Sequence, residues 1–229
     1  MSGDSKLCSE QYDETLNISK GEIMSKQIRG VILEGQSCSG KTSIFNALKD
    51  CHLVEKDAER NVIYLAEHYS QTLNLINGEF KNLSQEENLR VLSDRISMLE
   101  NLNDYANSLG EHSRRSRGLF FVFERFHLNY ASNFNDVDSD KYLELESRLI
   151  NLNAQVVLCT ISEENTEQRL RHRSSYTNEV VTKEMVDQYI ENQHHFINVA
   201  NKSSLSTMII NTDTLQWESY AEMILNKIN

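Results

Sequence analysis

One segment constrains this chain more than any other: residues 35–42 read Gly-Gln-Ser-Cys-Ser-Gly-Lys-Thr and fit the pattern G-x-x-x-x-G-K-[ST]. An apolar run, Gly30–Leu33, leads into the segment. Glycines in such a loop let the backbone close around an anion, and the helix that follows adds the positive end of its dipole. The segment therefore predicts a phosphate-binding loop between a strand and a helix.

The loop supplies specific groups for a nucleoside triphosphate. We expect the Lys41 ammonium to reach the outer phosphates and the Thr42 hydroxyl to ligate the accompanying magnesium ion. Cys38 lies beside a lysine at a helix N-terminus, which favours a thiolate, so it is a candidate reactive thiol. The residues expected to bind the nucleotide in this region are Gly35, Ser37, Cys38, Ser39, Gly40, Lys41, Thr42 and Ser43.

The overall charge limits the partners of the chain. Its 229 residues carry a formal net charge of −11, so we expect no nucleic-acid-binding surface, which needs a basic face. A small anionic ligand needs only a local cluster of Lys and Arg. The sequence has no apolar stretch long enough to cross a bilayer, no secretory signal pattern and no paired metal spacing among its four cysteines. We therefore expect a cytoplasmic protein without a membrane partner.

Two regions differ in their hydrophobic pattern. Residues 1–26 are polar without a sustained period, which is typical of a poorly ordered tail, whereas residues 27–229 alternate apolar runs with helical patterns. The predicted strands are 28–34, 61–67, 119–123, 156–161 and 207–211. Strands separated by helices predict one α/β domain of three layers, with a five-stranded parallel sheet and helices on both faces. The sequence leaves the oligomeric state open, a homodimer included.

Charged residues end one predicted strand, at Glu67, and follow another, at Glu124-Arg125, and the carboxyl ends of parallel strands meet at one edge of a sheet. Glu124 is expected to hold magnesium through water, and Arg125 to orient an anionic or hydroxyl group of an acceptor. Glu67 is the candidate base or acceptor-orienting group. The alternatives are a structural ion pair for Glu124 and Arg125 and an ordinary surface glutamate for Glu67.

Basic residues recur in two further segments. Arg169 and Arg173 are four residues apart, so on a helix they share a face and are expected to close over the transferring phosphoryl group. Arg171 is expected to point elsewhere, and a solvated basic helix face is the alternative for the whole segment. The basic run at 114–117 is most simply a solvated loop, with a phosphate contact as the alternative.

Together these residues resemble the thymidylate kinase and deoxynucleoside kinase superfamily of phosphate-loop kinases. The resemblance rests on Leu33-Glu34-Gly35 running into Ser39-Gly40-Lys41-Thr42, on Glu67, on Glu124-Arg125, on Arg169 to Arg173 and on Asn211-Thr212-Asp213. It implies the phosphate-loop NTPase fold, ATP and Mg²⁺ as cofactors, and a mobile arginine-bearing lid at about 163–180. It also implies that Glu124-Arg125 help to hold metal and phosphates, that Glu67 faces the acceptor, and that the loop containing Asp213 borders the adenine. Cys38 replaces the small glycine of these families, and Ser37 replaces the acid that thymidylate kinases commonly have.

The resulting hypothesis is an ATP- and Mg²⁺-dependent kinase of a nucleoside or nucleoside monophosphate, with Lys41, Glu67, Glu124, Arg125, Arg169 and Arg173 as its catalytic candidates. One alternative keeps the fold and changes the acceptor to another small hydroxylated molecule, such as an antibiotic or a metabolite. A second alternative is a regulatory ATPase without a small-molecule acceptor. Phe126 and Tyr130 are interpreted either as base-stacking residues or as core.

Overall fold

The computed structural model describes residues 28–55, 58–67, 73–76, 79–108, 118–177 and 180–228. The predicted tail at 1–26, the basic run at 114–117 and positions 178–179 of the predicted lid lie outside these residues. Within the described part of the chain, no helix combines the length and the apolar character needed to cross a membrane.

The described residues form seven strands and seven helices. The strands are β1 (Arg29–Glu34), β2 (Asn61–Leu65), β3 (Leu73–Ile76), β4 (Glu79–Asn82), β5 (Leu119–Glu124), β6 (Ala154–Thr160) and β7 (Thr207–Asn211). The helices are α1 (Lys41–Val54), α2 (Gln85–Ser108), α3 (His127–Phe134), α4 (Asp140–Asn151), α5 (Glu163–Thr177), α6 (Lys183–Lys202) and α7 (Trp217–Ile228).

Five of the strands form one parallel sheet in the order β2-β5-β1-β6-β7, which confirms the predicted five-stranded sheet. The central strand β1 pairs with β5 on one side and with β6 on the other. Leu33 of β1 pairs with Glu124 of β5, and Leu65 of β2 pairs with Phe123. This register brings the segments that follow β1, β2 and β5 side by side at the carboxyl edge of the sheet.

Helices cover both faces of the sheet, as the continuous apolar sequence of β5 predicts. Every residue of β5 is buried. Phe121 and Phe123 belong to the core shared with α2, α3, α4 and α6, whereas Phe120 and Val122 belong to the core shared with α1 and α7. The two cores and the sheet between them give the expected three-layer α/β architecture.

The structure contains two elements that the sequence pattern does not predict. Strands β3 and β4 form an antiparallel hairpin, and α3 begins directly after Phe126. Helix α3 has only eight residues, and its N-cap residue Phe126 makes no side-chain capping bond. Its capping group is the buried Glu34 at the end of β1, which accepts hydrogen bonds from the amides of Phe126 and Leu128. A cap so distant in sequence leaves no local start signal.

Candidate active site

A cleft of about 560 Å³ opens at the carboxyl edge of the sheet, between the phosphate loop, α5 and the segment after β7. Most of the predicted site residues line it, namely Ser37, Cys38, Gly40, Lys41, Thr42, Ser43, Glu67, Glu124, Arg125, Arg169, Arg173 and Asp213. The other two predicted residues, Gly35 and Ser39, are buried in the same loop and do not line this cleft. Residues predicted separately from loop, strand ends and helix therefore meet in one place.

Left-handed backbone at three positions shapes the phosphate loop. Gly35 has φ 126°, and an added Cβ would collide with the carbonyl oxygen of Cys159. Gly40 has φ 87° and directly precedes the first residue of α1. Cys38 has φ 69°, which in an L-residue costs about 1 kcal/mol relative to the right-handed region. The cysteine thus occupies a conformation suited to the glycine that the resemblance leads one to expect there.

Lys41 is the most buried cation of the cleft, with 4% of its surface exposed. Its Nζ donates a hydrogen bond to the carbonyl oxygen of Gln36 at 2.7 Å. Burial, followed by the neighbouring charge of Arg125, lowers the pKa of Lys41 to about 8. A bound anion would offset both causes, so this site favours a phosphate beside the ammonium.

Thr42 and Glu124 form a pair of oxygen groups that line the cleft. The Thr42 hydroxyl, in the first turn of α1, donates to Glu124 Oε1 at 2.6 Å, and Glu124 at the end of β5 is only 2% exposed. Hydroxyl and carboxylate oxygens are ligands that Mg²⁺ prefers, and it keeps several of its waters when it binds. The two side chains therefore fit a magnesium ion held directly by Thr42 and through water by Glu124.

Arg125 joins the phosphate loop to the end of β2. Its Nη2 donates to Ser37 Oγ at 2.9 Å, and its Nε lies 3.1 Å from Glu67 Oε1 in an ion pair. The residue has φ 57°, and its amide donates to the carbonyl oxygen of Leu33 at 2.8 Å. The guanidinium is 15% exposed and the Glu67 carboxylate 36%, so the acid presents more surface to solvent than its partner does.

The three arginines of α5 divide between the cleft and solvent. Arg169 and Arg173 line the cleft, whereas Arg171 is exposed and donates two hydrogen bonds to Glu167. Arg169 Nη2 donates to the carbonyl oxygen of Thr212 at 2.5 Å and to its hydroxyl at 3.0 Å. Helix α5 is thereby attached to the segment after β7.

One residue that shapes this wall of the cleft, Trp217, is not among the sequence-based candidates, and Thr212 enters only through the resemblance at Asn211-Thr212-Asp213. The Trp217 ring centroid lies 5.7 Å from the Arg169 guanidinium carbon, in a cation–π arrangement. The buried Thr212 hydroxyl donates to the carbonyl oxygen of Ser39 at 2.9 Å. Other lining residues outside the predicted set are Asn165, Gln168, His172 and Leu215. Asn165 and His172 lie four residues before and three residues after Arg169, on the same face of α5, so helical spacing is the signal that finds these two.

Two further predictions concern Asp213 and the aromatic residues after β5. Asp213 lines the cleft, and its Oδ1 accepts a hydrogen bond from the Ser162 amide at 3.1 Å. Phe126 and Tyr130 are 2% and 0% exposed and belong to the core on the α3 side of the sheet. Of the two interpretations, the structure therefore supports core packing for both rings.

Comparison with known proteins gives matches at the level of structure. No protein-family model matches the sequence, and no curated protein matches it significantly. The YorR protein from Bacillus subtilis, solved in complex with phosphorylated GDP, superposes with a TM-score of 0.56 at 14% sequence identity, covering 87% of this chain and 95% of that one. The chain has the three-layer α/β fold of a P-loop NTPase. At this level the predicted resemblance to phosphate-loop kinases is confirmed, and 14% identity carries the likeness no further than the fold.

Two further structures, both of kinases, superpose less well. A thymidylate kinase from Ehrlichia chaffeensis has a TM-score of 0.46 at 13% identity, covering 88% of this chain and 98% of its own. A deoxyadenosine kinase from M. mycoides has a TM-score of 0.43 at 14% identity, covering 87% of this chain and 98% of its own.

Proposed function

We propose that the protein is an ATP- and Mg²⁺-dependent phosphotransferase that moves the γ-phosphoryl group of ATP to a nucleoside or a nucleoside monophosphate. The observation that carries the proposal is the meeting of Lys41, the Thr42–Glu124 pair and the Arg125–Glu67 pair in one cleft. Phosphoryl transfer needs positioned positive charge, a metal-binding pair and a group that orients the attacking hydroxyl. Each requirement has a candidate group in this cleft.

The donor half is assigned to the phosphate loop and the helices beside it. Lys41 and the loop amides would hold the outer phosphates, and Thr42 with Glu124 would hold Mg²⁺, whose bound charge offsets that of the triphosphate. Arg169 and Arg173 face the cleft from α5, where guanidinium groups stabilise charge on the transferring group. The Asp213 loop would border the adenine.

The acceptor half is assigned to the Arg125–Glu67 pair. Arg125 would orient the acceptor, and Glu67 would take the proton of its attacking hydroxyl onto its carboxylate. The Arg125 charge is already offset by Glu67 at 3.1 Å, and a second carboxylate, Glu124, lies on the same cleft. The same cleft carries Lys41, Arg169 and Arg173, so its charge is compatible with a nucleoside or a nucleoside monophosphate as the acceptor.

The test is ADP formation from ATP and Mg²⁺ in the presence of a panel of nucleosides and nucleoside monophosphates. We expect ADP to form with one acceptor class, and the phosphorylated acceptor to be recovered by chromatography. Lys41→Ala is expected to abolish turnover without unfolding the protein. Lys49→Ala is the matched control, because Lys49 lies on the same helix but packs over the rings of Phe45 and Tyr64 outside the cleft.

The same assay separates the two rival functions. Transfer to a non-nucleoside alcohol, with no transfer to any nucleoside or monophosphate, would keep the kinase and replace its substrate. ADP formation that is indifferent to every acceptor would instead support a regulatory ATPase. Full turnover by the Lys41→Ala variant would contradict the assignment of this cleft altogether.

A further inference from the structure

Glu34 is a completely buried carboxylate that the proposed reaction does not use. It is the last residue of β1, directly before the phosphate loop, and has 0% of its surface exposed. Its Oε1 accepts hydrogen bonds from the amides of Phe126 at 2.9 Å and of Leu128 at 3.0 Å. Among the described residues, its Oε2 has no hydrogen-bond partner. Burying a carboxylate that has one unpartnered oxygen lowers the free energy of unfolding. The presence of Glu34 at this position therefore calls for a structural or functional reason.

The two amides lie immediately after the catalytic candidates Glu124 and Arg125. This stretch of backbone is unusual, because Arg125 has φ 57°. Left-handed backbone at a non-glycine residue persists only where its surroundings hold it in place. Here β1 supplies the restraints, since the Leu33 carbonyl accepts from the Arg125 amide at 2.8 Å and Glu34 accepts from the two amides that follow.

We propose that Glu34 is a positioning residue, whose Oε1 fixes the backbone at 126–128 and thereby aims the Arg125 guanidinium at Ser37 and Glu67. The inference rests on the proposed function, in which Arg125 orients the acceptor. The Glu34 clamp, defined as Glu34 Oε1 with the Phe126 and Leu128 amides, couples the phosphate loop to the acceptor side because Glu34 and Gly35 are consecutive. The clamp needs a side-chain oxygen that accepts the two amide hydrogen bonds and lies at the distance that a glutamate side chain gives. It does not need a negative charge.

Two substitutions separate reach from charge. Glu34→Gln keeps the chain length and one acceptor oxygen but removes the charge, whereas Glu34→Asp keeps the charge and withdraws the oxygen by one methylene. We expect Glu34→Asp to lower kcat/KM for the acceptor by about a hundredfold, as displacements near 1 Å do. We expect Glu34→Gln to keep kcat/KM within about threefold of the wild-type value. The ATP dissociation constant should change little in either variant.

Coupling to Arg125 distinguishes positioning from a general loss of stability. In an Arg125→Ala background, Glu34→Asp is expected to cause less than about a twofold further loss of kcat/KM, because the two residues act as one unit. Ser139→Ala is the matched control. Ser139 caps the neighbouring helix α4 by accepting from the Tyr142 amide, so its loss should lower stability and leave kcat/KM unchanged.

A second readout does not depend on activity. Hydrogen exchange of the Phe126 and Leu128 amides, measured by NMR on the full chain, should be slow in the wild type and in Glu34→Gln, and about tenfold faster in Glu34→Asp. If no acceptor is phosphorylated by the wild type, the proposed function fails, and these exchange rates still decide whether the clamp exists. Unchanged exchange in Glu34→Asp, full activity of that variant, or additive losses in the Arg125→Ala background would each overturn the proposal.

Discussion

The indole ring of Trp217 covers Gly40 of the phosphate loop so closely that an added Cβ would lie 2.7 Å from the ring. The same ring lies under the Arg169 guanidinium. One wall of the cleft is therefore a stack of loop backbone, indole and guanidinium. Trp217 is the single tryptophan of the chain, so its fluorescence reports directly on this wall.

Gly40→Ala is expected to weaken binding of MgATP about tenfold, because the new side chain meets both the indole ring and a left-handed backbone conformation worth about 1 to 2 kcal/mol. The measurement is a titration of Trp217 fluorescence with MgATP. Gly118→Ala is the control, since Gly118 also has a left-handed φ of 92° but does not line the cleft. It should lower the free energy of unfolding and leave MgATP affinity unchanged. Equal affinities for wild type and Gly40→Ala would refute the prediction.

Arg169→Ala is expected to lower kcat about a hundredfold, because a preorganised guanidinium beside the transferring group is lost. Arg171→Ala should change kcat by less than about twofold, since its pair with Glu167 is exposed on the same helix. Steady-state kinetics with saturating ATP compares the two variants. A similar loss in both would mean that α5 acts through its overall charge and not through the cleft-facing arginine.

Glu67→Gln is expected to lower kcat about a hundredfold through loss of the proton acceptor, while the ATP dissociation constant changes by less than about twofold. Turnover and equilibrium ATP binding are measured separately. Glu86→Gln serves as the control because Glu86 is an exposed glutamate paired with Lys141. Normal turnover of Glu67→Gln would leave Glu67 as an ordinary surface residue.

Glu34 should make stability fall as pH rises. Burial raises the pKa of Glu34 from 4.5 to about 7. Its contribution to the free energy of unfolding is therefore fully present below pH 4.5 and is lost as pH rises through 7, a change of about 3 kcal/mol. Burial lowers the pKa of the neighbouring His127 to about 4, so His127 makes the free energy of unfolding rise with pH, opposite to the effect of Glu34. Denaturant unfolding of wild type and Glu34→Gln across pH 4.5 to 7 gives, as the difference, the Glu34 slope together with its effect on His127, whose Nδ1 lies 3.8 Å from Glu34 Oε1. Parallel curves for the two proteins would contradict the assigned pKa.

The sequence predicts the sheet well because its signals are local. Each strand of the parallel sheet is a short apolar run, and the loop at 35–42 has a fixed spacing of residue types. Contacts made across the fold leave no such pattern. Trp217 reads as one residue of an amphipathic helix, and only the packing of α7 against α1 places it over Gly40. In the same way, α3 lacks a local start signal because its cap is supplied from β1.

The capping of α3 by Glu34 also has a consequence for how the chain folds. The two groups are 92 residues apart in sequence for the Phe126 contact and are brought together by the pairing of β1 with β5. An isolated eight-residue helix is unstable in water, so α3 is expected to form only after these two strands have paired. Helix α3 begins two residues after Arg125, which is proposed to orient the acceptor. The acceptor-binding part of the site is therefore expected to form late and cooperatively, and a chain in which β1 and β5 pair out of register would lack that part of the site.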